Sequence, residues 1–88
     1  MDLAIVFKLL GDYDEWRKVF DKDLPARQEF SESMIAGPVD NGQVVILSYG
    51  VDMEKMMAFM GTAEFAERTA KFHEPPTMYQ LTEMTPPA

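Results

Sequence analysis

The segment Leu3 to Leu10 (LAIVFKLL) is apolar on both of its alternating faces, and this constrains the fold more than any other feature. Read with a period of two, Leu3, Ile5, Phe7 and Leu9 fall on one side. Ala4, Val6 and Leu10 fall on the other, with Lys8 the single polar exception. Such a strand belongs in the middle of a sheet with both faces covered. Gln43 to Val51 (QVVILSYGV) follows as a second central strand. Two strands of this kind need apolar material above and below the sheet.

Between them the sequence supplies helices and turns. Asp12 is placed to cap a helix, with Glu15 three residues on as a capping-box partner. Tyr13, Trp16, Val19, Phe20 and Leu24 fall at helical spacing and form one apolar stripe. Arg17, Lys18, Asp21 and Lys22 take the wet side. Pro25 disfavours a helical Leu24 and kinks or ends the helix there, with 26–30 available for another turn. Ser33 to Val39 (SMIAGPV) reads as a weaker strand. Its proline cannot donate to a ladder, so it belongs at an edge or a bulge. Asp40-Asn41-Gly42 is a hairpin turn, since Asn-Gly supplies positive φ angles.

In the second half, Asp52 caps a helix whose Met53, Met56, Met57 and Met60 follow the i, i+3, i+4, i+7 pattern. Gly61 ends it, and Thr62 caps a continuation through Phe65, Ala66, Thr69, Ala70 and Phe72. Pro75-Pro76 stop the helix. Thr77 to Met84 is a last strand, and 85–88 is a frayed tail. The order β-α-β-β-α-β is the split arrangement of a ferredoxin-like α+β fold, a four-stranded antiparallel sheet with both helices on one face. Helices on one face leave the other apolar face bare, and a patch of that size marks an interface. A homodimer joined sheet to sheet is the economical answer.

Composition narrows the function. Eighty-eight residues make one domain, 1–88. With no cysteine, disulfides, thiolate metal sites and cysteine nucleophiles are excluded. A net charge of −7 argues against nucleic acid and against anionic membrane surfaces. No apolar run approaches the roughly 20 residues that span a bilayer. Met1-Asp2-Leu3 starts with an acid and enters a strand directly, so a cytoplasmic protein is expected. No His, Asp and Glu cluster has metal-ligand spacing, and no glycine-rich phosphate loop is present, so neither a metal nor a cofactor is expected.

The opening strand IVFKLL, the helix DYDEWRKVFD, the hairpin DNGQVVILSYGVD, the helix MEKMMAFMGTAEFAERTAKF and the closing PPTMYQLTEM together resemble the dimeric α+β-barrel superfamily. Within it they resemble the antibiotic-biosynthesis-monooxygenase-like domains. The resemblance covers nearly the whole chain and is one of pattern and layout, with no catalytic motif. It implies two sheets forming a barrel across a dimer, and in each subunit a pocket between helices and sheet. Cofactor-free monooxygenases of this class hold a planar phenolic substrate with aromatic and polar side chains. Haem-degrading members pair a histidine of the second helix with an asparagine and a tryptophan. Here the only asparagine is Asn41, in the hairpin turn, and the only tryptophan, Trp16, lies on the first helix, so that triad is not reproduced.

Five features are candidates for the site. His73, the sole histidine, reads either as a cationic helix C-terminus or as a general base at a pocket mouth. Tyr49, between Ser48 and Gly50, offers a hydroxyl with space beside its ring. Met53, Met56, Met57 and Met60 read either as flexible core filler or as an adaptable apolar wall. Trp16 and Tyr13 read either as core or as pocket lining. Arg17 and Arg27 are ordinary surface arginines unless they clamp a carboxylate. The function expected is a small homodimeric domain that binds an apolar or aromatic molecule. A cofactor-free monooxygenase or isomerase is the first alternative, with His73 or Tyr49 assisting proton transfer, and a non-catalytic assembly or sensing module the second.

Overall fold

The structure, a computed structural model, describes residues 1–82 and 84. Its elements run β1 (Asp2–Lys8), α1 (Tyr13–Lys22), α2 (Leu24–Arg27), β2 (Ser33–Val39), β3 (Gln43–Tyr49), α3 (Met53–Met60), α4 (Ala63–Ala70) and β4 (Thr77–Leu81). The four strands form one antiparallel sheet in the order β2-β3-β1-β4. The two strands that are apolar on both faces occupy its centre. The proline-bearing β2 is at an edge, where its missing N–H costs no ladder bond. This is the ferredoxin-like α+β fold expected from the order of elements.

Local signals act as their chemistry predicts. Asp12 accepts the backbone N–H of Glu15 at 3.3 Å, while the Glu15 carboxylate turns to Lys18 instead of completing a capping box. Asp52 and Thr62 cap α3 and α4 in the same way. Pro25 lies in the first turn of α2, where a missing N–H is harmless, so the chain starts a new helix there. Asn41 and Gly42 both take positive φ, 69° and 70°, to close the β2–β3 connection.

Strand alternation sorts the sheet into two faces. Leu3, Ile5 and Phe7 of β1 lie beside Ser48, Ile46 and Val44 of β3, and all six are buried. Against this inner face pack Trp16 and Phe20 of α1, Phe30, Val51 and Met56 of α3, in one core. Ser48, wholly buried, is satisfied by the Ser31 hydroxyl at 2.8 Å. The outer face carries Ala4, Val6, Val45 and Leu47 at its centre, flanked by Ile35 of β2 and Tyr79 of β4. No helix among the described residues covers it, and Ile35 and Tyr79 are 58% and 54% exposed.

Three strands end earlier than expected, with β3 stopping at Tyr49 rather than Val51. The first strand ends at Lys8, and Leu9 forms an isolated bridge with His73. The last strand ends at Leu81. The expected tail, 85–88, lies outside the described residues. No helix among the described residues is long and apolar enough to cross a membrane.

Candidate functional site

Between the inner sheet face and the helices lies a cavity of about 540 Å³. Its floor is Ile5 and Phe7 of β1, Ile46 of β3 and Met34 of β2. Trp16 and Phe20 of α1 form one wall, and Met56, Phe59 and Met60 of α3 form another. Helix α4 and the segment from Phe72 to Pro76 line the remaining side. The volume suits a small ligand of one to a few rings.

One wall is a run of stacked rings. His73 lies on Phe7 with centroids 4.1 Å apart, Phe7 meets Trp16 edge-on at 5.4 Å, and Trp16 stacks on Phe20 at 4.9 Å. The Arg27 guanidinium carbon sits 3.7 Å from the Phe20 centroid and ends the run. An imidazole therefore stands at one end of an aromatic wall and a cation at the other. Offset and edge-on rings at these spacings are attractive in themselves, which keeps the wall in place.

The polar groups of the lining are few, and most are already engaged. Thr69 donates its hydroxyl back to the Phe65 carbonyl. Asp23 is held by Arg68, with Nη1 on Oδ1 at 3.2 Å and Nη2 on Oδ2 at 3.1 Å, a pair that ties α4 to the start of α2. His73 Nδ1 lies 2.8 Å from the Glu74 carbonyl oxygen, which can only accept, so Nδ1 carries the hydrogen. In the neutral ring this leaves Nε2 as a bare acceptor with no protein partner among the described residues.

Arg27 is the polar group that sequence reasoning misread. Instead of lying on the surface it is 8% exposed, and its Nε and Nη2 donate to the Phe20 carbonyl at 3.2 and 2.8 Å. That carbonyl belongs to the last turn of α1, where it also accepts the Asp23 backbone N–H at 3.2 Å and where the helix dipole favours a cation. Desolvation is the main influence on the guanidinium and lowers its pKa, against the opposing pull of Asp21 and Asp23. The spacing gave no usable signal, because α1 ends at Lys22 and the stripe of Tyr13, Trp16 and Phe20 does not run on through the separate helix that carries Arg27.

The structure brings together Trp16, Met56, Met60 and His73 at the cavity and leaves four other candidates outside it. Tyr49 is on the opposite face of the sheet, paired across to Ser33, because alternation gives the inward position to Ser48. Its hydroxyl has no access to the cavity. Tyr13 is half-buried beside Trp16, and its hydroxyl accepts from Arg17, which also donates to the Ala36 carbonyl and ties α1 to β2. Met53 packs on the core but is not part of the lining, and Met57 is 54% exposed. The buried side of α3 is turned away from Met57 toward Phe59, whose ring is held between Phe30 and Phe65 at 5.5 and 5.1 Å. Four methionines at perfect spacing therefore do not form one wall. His73 is also displaced from its expected place: α4 ends at Ala70, and His73 lies beyond it, fixed by the bridge to Leu9. Asn41 is exposed in its turn. No group of three or more His, Asp or Glu side chains among the described residues is placed to hold a metal.

The chain shares its fold with solved structures of other proteins. A crystal structure of SnoaB, a cofactor-independent oxygenase from Streptomyces nogalater, superposes with a TM-score of 0.66 over 98% of this chain and 96% of that one, at 9% identity. An asparagine-to-alanine variant of SnoaB gives 0.64 over the same shares at 13% identity. A structural-genomics protein, YjcS, gives 0.59 over 93% of this chain and all of that one, also at 13%. At such identities the likeness is one of fold, and the fold agrees with the superfamily that the sequence resembles. No family model matches the chain, and no curated protein matches it in sequence.

Proposed function

We propose that this chain is a single cytoplasmic domain that works as a homodimer, and that each subunit binds a small planar apolar or aromatic molecule between sheet and helices. The observation that carries the binding reading is the cavity itself, about 540 Å³ with an apolar lining and few polar groups left free. Sites for small molecules have this make-up. The dimer reading rests on the outer face of the sheet, where Val6, Val45, Leu47 and Ile35 form a continuous apolar surface without a helix over it.

A second reading, a cofactor-free oxygenase or isomerase, is supported by the fold shared with SnoaB and by the free Nε2 of His73. In that reading Nε2 takes the proton of a phenolic or enolic O–H, and the anion so formed is the reactive species. Tyr49 has no part in it. The fixed tautomer suits the role, since the Glu74 carbonyl holds the hydrogen on the other nitrogen.

The test uses methyl-labelled methionine and 2-naphthol as the probe. Titration should move the Met34, Met56 and Met60 methyl resonances together with the His73 ring and leave Met57 in place. Met60→Trp, which fills the space, should abolish the shifts. Equal movement of Met57, or none at all, would sink the cavity as a binding site. Retained binding by His73→Gln with unchanged turnover of any substrate found would sink the second reading alone.

A further inference from the structure

Three arginines and two aspartates lie where α1 meets α2, and among the described residues the direct ion pairs leave one of the three cations over. Arg17 holds Asp21 at 3.1 Å and Arg68 holds Asp23 at 3.1 Å. Arg27, the most buried of the three, has no carboxylate partner among the described residues. Of the five N–H groups of a guanidinium, two go to the Phe20 carbonyl. One goes to the Met34 sulfur at 3.6 Å, a weak acceptor. Two N–H groups remain without an acceptor among the described residues, on a side chain that lines the cavity.

A buried cation with unused donors, which feels Asp21 and Asp23 but pairs directly with neither, is costly to keep. Capping the end of α1 accounts for one edge of the guanidinium and not for the other. A methionine packed on Phe20 would fill similar space without the desolvation penalty. An anionic ligand oxygen would meet both unused N–H groups and supply the direct ion pair that Asp21 and Asp23 do not, as carboxylates do for arginine elsewhere.

We infer that the ligand of this cavity is an aromatic acid, its ring along the Phe7–Trp16–Phe20 wall and its anionic oxygen group on Arg27. This rests on the binding reading above and adds to it the chemical class of the ligand. The overall charge of −7 disfavours anions at long range, so a preference for the anion must arise locally.

The experiment compares 2-naphthoate with its neutral amide, naphthalene-2-carboxamide, by calorimetry and by the nitrogen resonances of arginine side chains. Wild type should bind naphthoate on the order of tenfold more tightly, the scale of a hydrogen bond to a charged group. The Arg27 Nε resonance should shift with the acid and stay still with the amide. Arg27→Gln should lose the preference while keeping its affinity for the amide, and Arg27→Lys should keep part of it. Equal affinity for acid and amide in wild type overturns the inference and leaves the cavity standing. Failure of both probes to bind overturns the cavity reading as well. Because the wild-type comparison and the Nε shift need no variant, misfolding of Arg27→Gln does not protect the idea.

Discussion

The two faces of the sheet come from the same central strands and have opposite surroundings. On the inner face Leu3, Ile5, Phe7, Val44 and Ile46 lie under helices that carry aromatic rings. On the outer face Ala4, Val6, Val45 and Leu47 are equally apolar and have no helix of the described residues above them. Inside, the apolar surface is covered by local geometry, since each strand is followed by a helix that folds back over it. Outside, no helix of the described residues returns over it. The difference teaches that hydrophobicity fixes that a face must be buried, while connectivity decides by what.

Breaking the inner face should have the largest effect. Trp16 touches Tyr13, Phe7 and Phe20, so Trp16→Ala removes the middle of the aromatic wall. The expected loss is about 3–5 kcal/mol, close to the whole stability of a small domain. Urea denaturation followed by far-UV circular dichroism reads it directly, and a near-wild-type midpoint would show that α1 is not anchored by this ring. On the outer face, Leu47→Asp should leave the subunit folded and break the dimer, because a carboxylate facing a second sheet would be desolvated without a partner. Sedimentation velocity should give a dimer for the wild type and a monomer for the variant. A monomeric wild type at micromolar concentration would mean that this face is tolerated bare, and the contrast between the faces would lose its meaning.

The smallest effect tests how finely burial is divided within one helix. Met56 is 1% exposed and Met57 is 54% exposed, although they are neighbours on α3. Met56→Ala should cost about 2–5 kcal/mol, while Met57→Ala should stay within about 0.5 kcal/mol. Thermal unfolding of the two variants settles it, and similar losses would put the buried side of α3 back where the methionine spacing alone placed it.

Most of the fold was legible before any coordinates. Period-two and helical patterns, together with Asp12, Asp52 and Thr62 as caps and Asn41-Gly42 as the turn, act through neighbours a few residues apart, so the chain determines them locally. The bounds of β2 and of α3 agree with that reading. The site was less legible. Tyr49 was drawn toward the cavity by its glycine neighbour, yet the register with Ser33 turns it outward. Arg27 read as a surface cation, because its burial depends on a second helix starting at Leu24 and returning the guanidinium to Phe20. His73 acquired its tautomer from the carbonyl of the next residue, and its place on Phe7 came from a bridge to Leu9, 64 positions earlier (73 less 9). What the sequence determined by itself was the set of elements and the surplus of apolar surface, because both follow from short-range periodicity. What only the tertiary structure decided was which rings stack, which arginine is left without a carboxylate and which imidazole nitrogen is free, because those depend on contacts between residues that only folding brings together.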